Sequence, residues 1–184
     1  GVKKHILKLE GGGALEVEEA ASNDTPTINS LLTRAAKNFP DKIAVQIKRD
    51  EVWQRFTYQA MEEATRKIGS ILQGAGLQKG ARAVLFSENK PEWGIAYLGA
   101  ASVGVVVVPL DAQTWHREVW SVVRFTGARA VLASEYCLSR LATEGLEANE
   151  RSESPAQLLN IDRGCVPFAR EDYPRSTKPL GDAN

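Results

Sequence analysis

The side chains best placed to do chemistry sit in two short runs. Ser87-Glu88-Asn89-Lys90-Pro91-Glu92-Trp93 follows the apolar tetrad Ala83 to Phe86, and Pro109-Leu110-Asp111 closes a run of four valines. If both apolar stretches are strands of one open α/β sheet, Glu88, Asn89 and Asp111 stand at carboxyl ends of strands, where such sheets hold ligands. Two carboxylates and an amide there could grip a polar group. Other roles are open for the same residues. An aspartate after Pro109 also makes a turn. Asn89 with Glu92 three positions on has the spacing of a capping box, with Pro91 in the first helical turn. On that reading Asn89 touches no substrate, and Asn89→Ala costs about 1 kcal/mol of stability. Trp93 joins Asn89 and Asp111 as a weak candidate for substrate binding. Packing is the simpler role for Trp93, Trp115 and Trp120, because large aromatics fill cores.

No catalytic residue and no metal ligand emerges from the other motifs. Gly74-Ala75-Gly76-Leu77-Gln78-Lys79-Gly80 approaches a dinucleotide fingerprint, but it follows a helical pattern and precedes a strand, the reverse of the order that aims a helix N-terminus at a pyrophosphate. Ala100-Ala101-Ser102-Val103-Gly104 approaches a nucleophile elbow, which is a strand-to-helix turn. Ser102 instead ends a helix and is expected to be buried and hydrogen-bonded. Gly11-Gly12-Gly13 is followed by no Gly-Lys-Ser or Gly-Lys-Thr. The two cysteines, Cys137 and Cys165, and two histidines, His5 and His116, lack metal-ligand spacing.

Bulk composition narrows the class. Lys+Arg and Asp+Glu are both 23, so the net charge is zero, which argues against nucleic acid or an anionic membrane as main partner. No secretory signal precedes the cysteines, which favours a cytoplasmic protein with reduced thiols. Trp93 to Leu110 is 18 residues without a charge. Its glycines, Pro109 and the valine run point to a buried helix and a buried strand, with no transmembrane segment.

These residues need a frame, and its periodicity is readable. Gly1 to Asp24 reads as a tail, with Ile6 to Leu9 as a short strand. From residue 25 the spacing predicts a helix with Ile28, Leu31, Leu32, Ala35 and Phe39 on one face, ended by Pro40. A hairpin follows, Ile43 to Ile47 and Val52 to Phe56, around Arg49-Asp50-Glu51. Thr57 caps a helix that ends at Gly74 or Gly76. Ala83 to Phe86, the valine run, Ala130 to Ala133 and Leu158 to Ile161 are strands. Helices begin near Glu92, after Thr114 as a cap, and after Ser134 as a cap. Residues 144–155 and 163–184 read as loop-like or irregular. The alternation predicts an α/β fold, a doubly wound, mostly parallel sheet flanked by helices, with an N-terminal β-hairpin.

Five motifs in order carry a resemblance. They are Phe39-Pro40-Asp41-Lys42-Ile43-Ala44, Phe56-Thr57-Tyr58, Gly76-Leu77-Gln78-Lys79-Gly80, Asn89-Lys90-Pro91-Glu92-Trp93, and Gly104 with Val108-Pro109-Leu110. Over Thr27 to Ala133 the chain resembles the N-terminal subdomain of adenylate-forming synthetases, and its Pro-Glu-Trp form leans toward acyl-CoA synthetases. Ala81 stands where that family usually has Asp. The resemblance implies a parent enzyme that adenylates a fatty or other carboxylic acid with ATP and Mg²⁺, then transfers the acyl group to CoA. It also implies that the partners of this chain are that acid and the remainder of the same polypeptide.

The family's Ser/Thr/Gly-rich phosphate loop ending in Pro-Lys-Gly, its ribose-gripping acid, hinge arginine and lid lysine have no match here. The chain therefore reads as an inactive piece ending upstream of that loop, binding no cofactor itself. Apolar surface left bare in such a piece would favour association, as a homodimer for instance. The rival reading is a non-catalytic, flavodoxin-like binding or interaction domain with its site at Glu88, Asn89 and Asp111.

Overall fold

A computed structural model describes residues 3–8, 14–19, 26–141 and 143–167. Strands β1 (Lys3–Lys8) and β2 (Ala14–Glu19) pair antiparallel, so the expected tail contains a hairpin. Leu15 and Val17 alternate with Glu16 and Glu18, which is strand periodicity hidden among charges.

Helix α1 (Ile28–Asn38) starts where Thr27 Oγ1 accepts from the Ser30 N–H at 3.1 Å. Only Leu32 of its apolar face is buried; Ile28, Leu31 and the following Phe39 are exposed. Strands β3 (Ile43–Arg49) and β4 (Val52–Thr57) pair antiparallel around Asp50 and Glu51, both at positive φ. Two left-handed central residues make the turn whose twist suits a two-residue hairpin. Thr57 Oγ1 then accepts from the Ala60 N–H and opens α2 (Tyr58–Gly74), as its type and place predict.

The main sheet has the order β6-β5-β7-β8-β9. Strands β5 (Arg82–Ser87), β6 (Val106–Asp111), β7 (Ala130–Ala133) and β8 (Gln157–Asn160) are parallel, and β9 (Val166–Pro167) adds an antiparallel edge. Residues 163–167, expected to be irregular, thus include a strand; residues 168–184 lie outside the described part.

Alternation splits the strands between two cores. Ala83, Leu85, Ala130, Leu132 and Leu159 pack under α2 and α3 (Pro91–Ser102). Val84, Phe86, Val131 and Ala133 pack under α4 (His116–Thr126) and α5 (Glu135–Ser139). Helices on both faces make the sheet doubly wound, and that is why β5 and β7 read as unbroken apolar runs.

Helices α2 and α3 approach closely because each offers a glycine. A Cβ on Gly99 would come 2.6 Å from Ile68 Cγ2, and one on Gly69 would come 2.7 Å from Ser102 Oγ. Helix α1 is tied to the same pair. With its amide oriented to satisfy both neighbours, Asn29 donates to the Leu98 carbonyl at 3.1 Å and accepts from the Ser102 N–H at 3.0 Å.

Several expectations change. Residues 144–155 are not all loop, since α6 spans Thr143–Glu150. Gly145 lowers its helical propensity, but lies against Trp120, where a Cβ would meet Nε1 at 2.1 Å. The cap of α4 is Trp115, with no side-chain capping bond, rather than Thr114. The Asp111 turn takes Thr114 first, its N–H donating to the Asp111 carbonyl at 2.9 Å. Trp115 is 71% exposed, not packed, because it precedes the buried stripe of Val119, Trp120 and Val123. Ser102 is exposed rather than buried; its hydroxyl donates to the Gly99 carbonyl at 2.7 Å.

Candidate functional site

Parallel strands bring their following residues to one crest. Ser87, Glu88, Asn89 and Lys90 follow or close β5, Ser134 follows β7, and Asn160 and Asp162 close β8. Glu88 is the hub. Its carboxylate accepts from Ser134 Oγ, from Ser87 Oγ at 3.3 Å and from Cys137 Sγ at 3.6 Å. Lys90 Nζ lies 3.8 Å from Glu88 and 2.6 Å from Asp162. Asp162 also accepts from the Glu135 N–H at 3.0 Å, and Asn160 Oδ1 accepts from the Asp162 N–H at 3.0 Å. The loops after three strands are therefore cross-linked.

Burial alone would raise the Glu88 pKa. The Ser134 hydroxyl, a bond to its own backbone and Lys90 outweigh it, holding the carboxyl below its ordinary range. The same crest suppresses thiol chemistry. Burial, with Glu88 adding to it, pushes Cys137 up to about 11, and burial pushes Cys165 up to about 12. Both are free cysteines, unreactive as thiols near neutrality.

Beside the crest is a cavity of about 360 Å³ between β3, α2 and the start of α3. Val45, Ile47, Met61 and Trp93 make its apolar wall, with Asn89 at its exposed rim and Lys90 beside it. Arg49 Nη2 donates to Glu92 at 2.7 Å, tying the hairpin to α3. That bond, more than burial opposes, raises the pKa of Arg49. Trp93 stacks on Tyr97 with ring centroids 5.4 Å apart.

The structure thus brings Asn89 and Trp93 to one cavity and leaves Asp111 elsewhere. Asp111 pairs in register with Ser87, but its exposed side chain accepts from the Gln113 N–H at 2.7 Å, which is the turn role. Asn89 is not the helix cap. Pro91 fixes the first helical position, so Lys90 is the N-cap, without a side-chain capping bond. Glu92 cannot complete a capping box because Arg49 holds it. Lys90, Ser134 and Asp162 were not singled out as site residues. Their signal is positional, since each falls within a few residues of the end of an apolar strand run, but strand order alone joins them.

As a nucleotide site the crest fits poorly. Glu88 and Asp162 are already engaged by Ser134 and Lys90. Among the described residues no His, Cys, Asp or Glu group could hold a metal ion. No step through ATP, Mg²⁺ or CoA is therefore assigned to the residues of the crest. No helix among the described residues is long and apolar enough to cross a membrane.

The family profile described as AMP-binding enzyme matches residues 32–181. The chain is 34% identical over 153 residues to the long-chain-fatty-acid–CoA ligase of Bacillus subtilis, covering 83% of this chain and 26% of that protein. It is 26% identical over 114 residues to the crotonobetaine/carnitine–CoA ligase of Proteus mirabilis, covering 62% and 21%. The solved O-succinylbenzoate coenzyme A synthetase of Bacillus subtilis, in complex with AMP, shares the fold at a TM-score of 0.58 and 20% identity, over 73% of this chain and 32% of that one. The chain spans about a quarter or less of the length of these two curated relatives.

Proposed function

The chain belongs to the AMP-binding enzyme family, and we propose that it is the N-terminal part of an AMP-forming acyl-CoA ligase. The observation that carries this reading is the family match over residues 32–181, joined to 34% identity with a long-chain-fatty-acid–CoA ligase. Both favour a ligase over a flavodoxin-like binding domain. In the whole enzyme, ATP with Mg²⁺ activates a fatty or other carboxylic acid as its adenylate, and CoA takes the acyl group.

The role of this part is architectural. Its doubly wound sheet is a rigid platform, and the Glu88–Ser134–Lys90–Asp162 crest fixes the loops that face the rest of the enzyme. Asn89 and Trp93 sit in the neighbouring cavity, where Asn89 supplies an unspent amide and Trp93 an apolar wall. The protein works in the cytoplasm, with the remainder of the polypeptide as its first partner. The exposed face of α1 (Ile28, Leu31) with Phe39 is the surface for such packing or for a second copy.

The test has two arms. The complete protein encoded by the gene is assayed for ATP- and CoA-dependent thioester formation across a series of carboxylic acids. The 184-residue chain alone is assayed for carboxylate-dependent exchange of labelled pyrophosphate into ATP. Thioester formation by the first and no exchange above control by the second are expected. Failure of the complete protein with every acid overturns the ligase reading; exchange by the short chain overturns the architectural role.

A further inference from the structure

We propose that the cavity between α4 and α6 is a recognition site for a phosphoryl group, borne by Ser154 of this same chain. The cavity measures about 250 Å³. Arg124 and Arg129 line it together with Ser152 and Ser154, and among the described residues no carboxylate does. Its polar lining is therefore the Asn149 amide, two hydroxyls and two full positive charges, a composition that suits an oxyanion.

The donors are largely unspent. Among the described residues Arg124 donates only to Ser121 Oγ, at 3.3 Å. Among the described residues nothing engages the Arg129 side chain. Trp120, which also lines the cavity, is 3% exposed, and its Nε1 has no hydrogen-bond partner. That N–H is covered by Gly145 and is closed to a ligand, so the two guanidiniums are the donors that face the cavity. Gly145 lets α6 pass over that indole edge. The carbonyl end of α4 would oppose an anion, but its last turn is capped: the Gly127 and Ala128 N–H groups donate to Arg124 and Val123 carbonyls at 3.2 and 3.0 Å. Two guanidiniums outweigh what remains of a half charge.

Ser154 is the natural bearer. It is exposed, it is followed by Pro155, and its segment is held at the cavity mouth. Asn149 clamps that segment by exchanging two bonds of 2.9 Å with the Ala156 backbone. A protein kinase with ATP as donor supplies the group. The Ser154 Oγ–P bond forms as the bond from the γ-phosphorus to its bridging oxygen breaks, ADP leaves, and the hydroxyl proton passes to the kinase's base. The phosphate then joins Arg124 and Arg129, pinning the 151–155 segment to α4. This proposal is independent of the ligase reading.

The chain is made with phosphoserine encoded at position 154 and without it, each in the wild-type background and with Arg124→Gln and Arg129→Gln together. The phosphorylated chain is expected to melt several degrees higher, a gain that the double substitution abolishes. Inorganic phosphate is titrated into the unmodified chain at constant ionic strength by ³¹P NMR. Binding weakened about tenfold or more by the double substitution identifies the same oxyanion site. Phosphate binding without a gain from phosphoserine overturns the Ser154 assignment and makes free phosphate the ligand. A gain without phosphate binding supports the covalent source. Absence of both the gain and the phosphate binding overturns the proposal.

Discussion

On the face of the sheet under α2 and α3, Leu85, Leu132 and Leu159 are sealed from water. One or two residues past the ends of the same strands, Glu88 and Asp162 keep partial contact with solvent and, with the buried Ser134, form a polar crest. The first region is held by volume and fit, the second by paired charge and capped backbone. Interiors at crystal-like density register the loss of a single methylene, whereas solvent screens an exposed ion pair. The difference sets both how strongly each region should respond to substitution and how readable it is.

The largest effect should come from the sealed face. Leu132→Ala removes a side chain with no exposure, and a cost of about 2–5 kcal/mol is expected in denaturant unfolding. Gly99→Ala tests fit rather than volume. The new Cβ would lie 2.8 Å from Ile68 Cβ and 3.0 Å from the Thr65 carbonyl, so about 1–3 kcal/mol should be lost to overpacking. A neutral Gly99→Ala would show that α2 and α3 can separate freely.

Smaller effects belong to caps and charges. Thr57→Ala should cost about 1 kcal/mol, because it orphans the Ala60 N–H. Glu88→Gln is a probe of pH. The folded pKa of Glu88 lies below its unfolded value, so its stabilisation is fully present above the unfolded pKa. It is lost as pH falls through the folded one. With Glu88 38% exposed, screening limits the effect to below about 1 kcal/mol. The stability gap between wild type and Glu88→Gln should therefore narrow on acidification below the ordinary Glu range. A gap unchanged from neutrality to strong acid would deny Glu88 its role as hub.

The same contrast explains what the chain discloses unaided. Strands β5 and β7 are legible because burial on both faces leaves no polar position to blur them. Thr57 and Ser134 are legible as caps because each hydroxyl stands directly before its helix and accepts from an orphan N–H, whereas Thr114 stands one residue too early and closes a turn. Strand β1 was visible only in part and β2 was not, since glutamates on alternate positions look like a solvated tail. Helix α6 was hidden by Gly145, whose placement answers to Trp120 and not to helix propensity. The crest was hidden for a different reason. Lys90 and Asp162 meet only because β8 lies beside β7 and β7 beside β5, and no local spacing encodes strand order.

Asn89 gives the finest test, because its expected role changed. As an N-cap it would be worth about 1 kcal/mol, similar to Thr57. In the fold Lys90 precedes the first helical residue, and the Lys90 carbonyl accepts from the Trp93 N–H at 3.0 Å. The Asn89 amide is exposed at the rim of the cavity that Trp93 lines. Asn89→Ala should then alter stability by no more than about 0.5 kcal/mol, the usual range for a surface site without special contacts. Asn89→Asp should be equally mild. If thioester formation by the complete protein falls for both variants while stability holds, the rim amide serves the cavity. A loss near that of Thr57→Ala would instead restore Asn89 as the cap and move the start of α3 back by one residue.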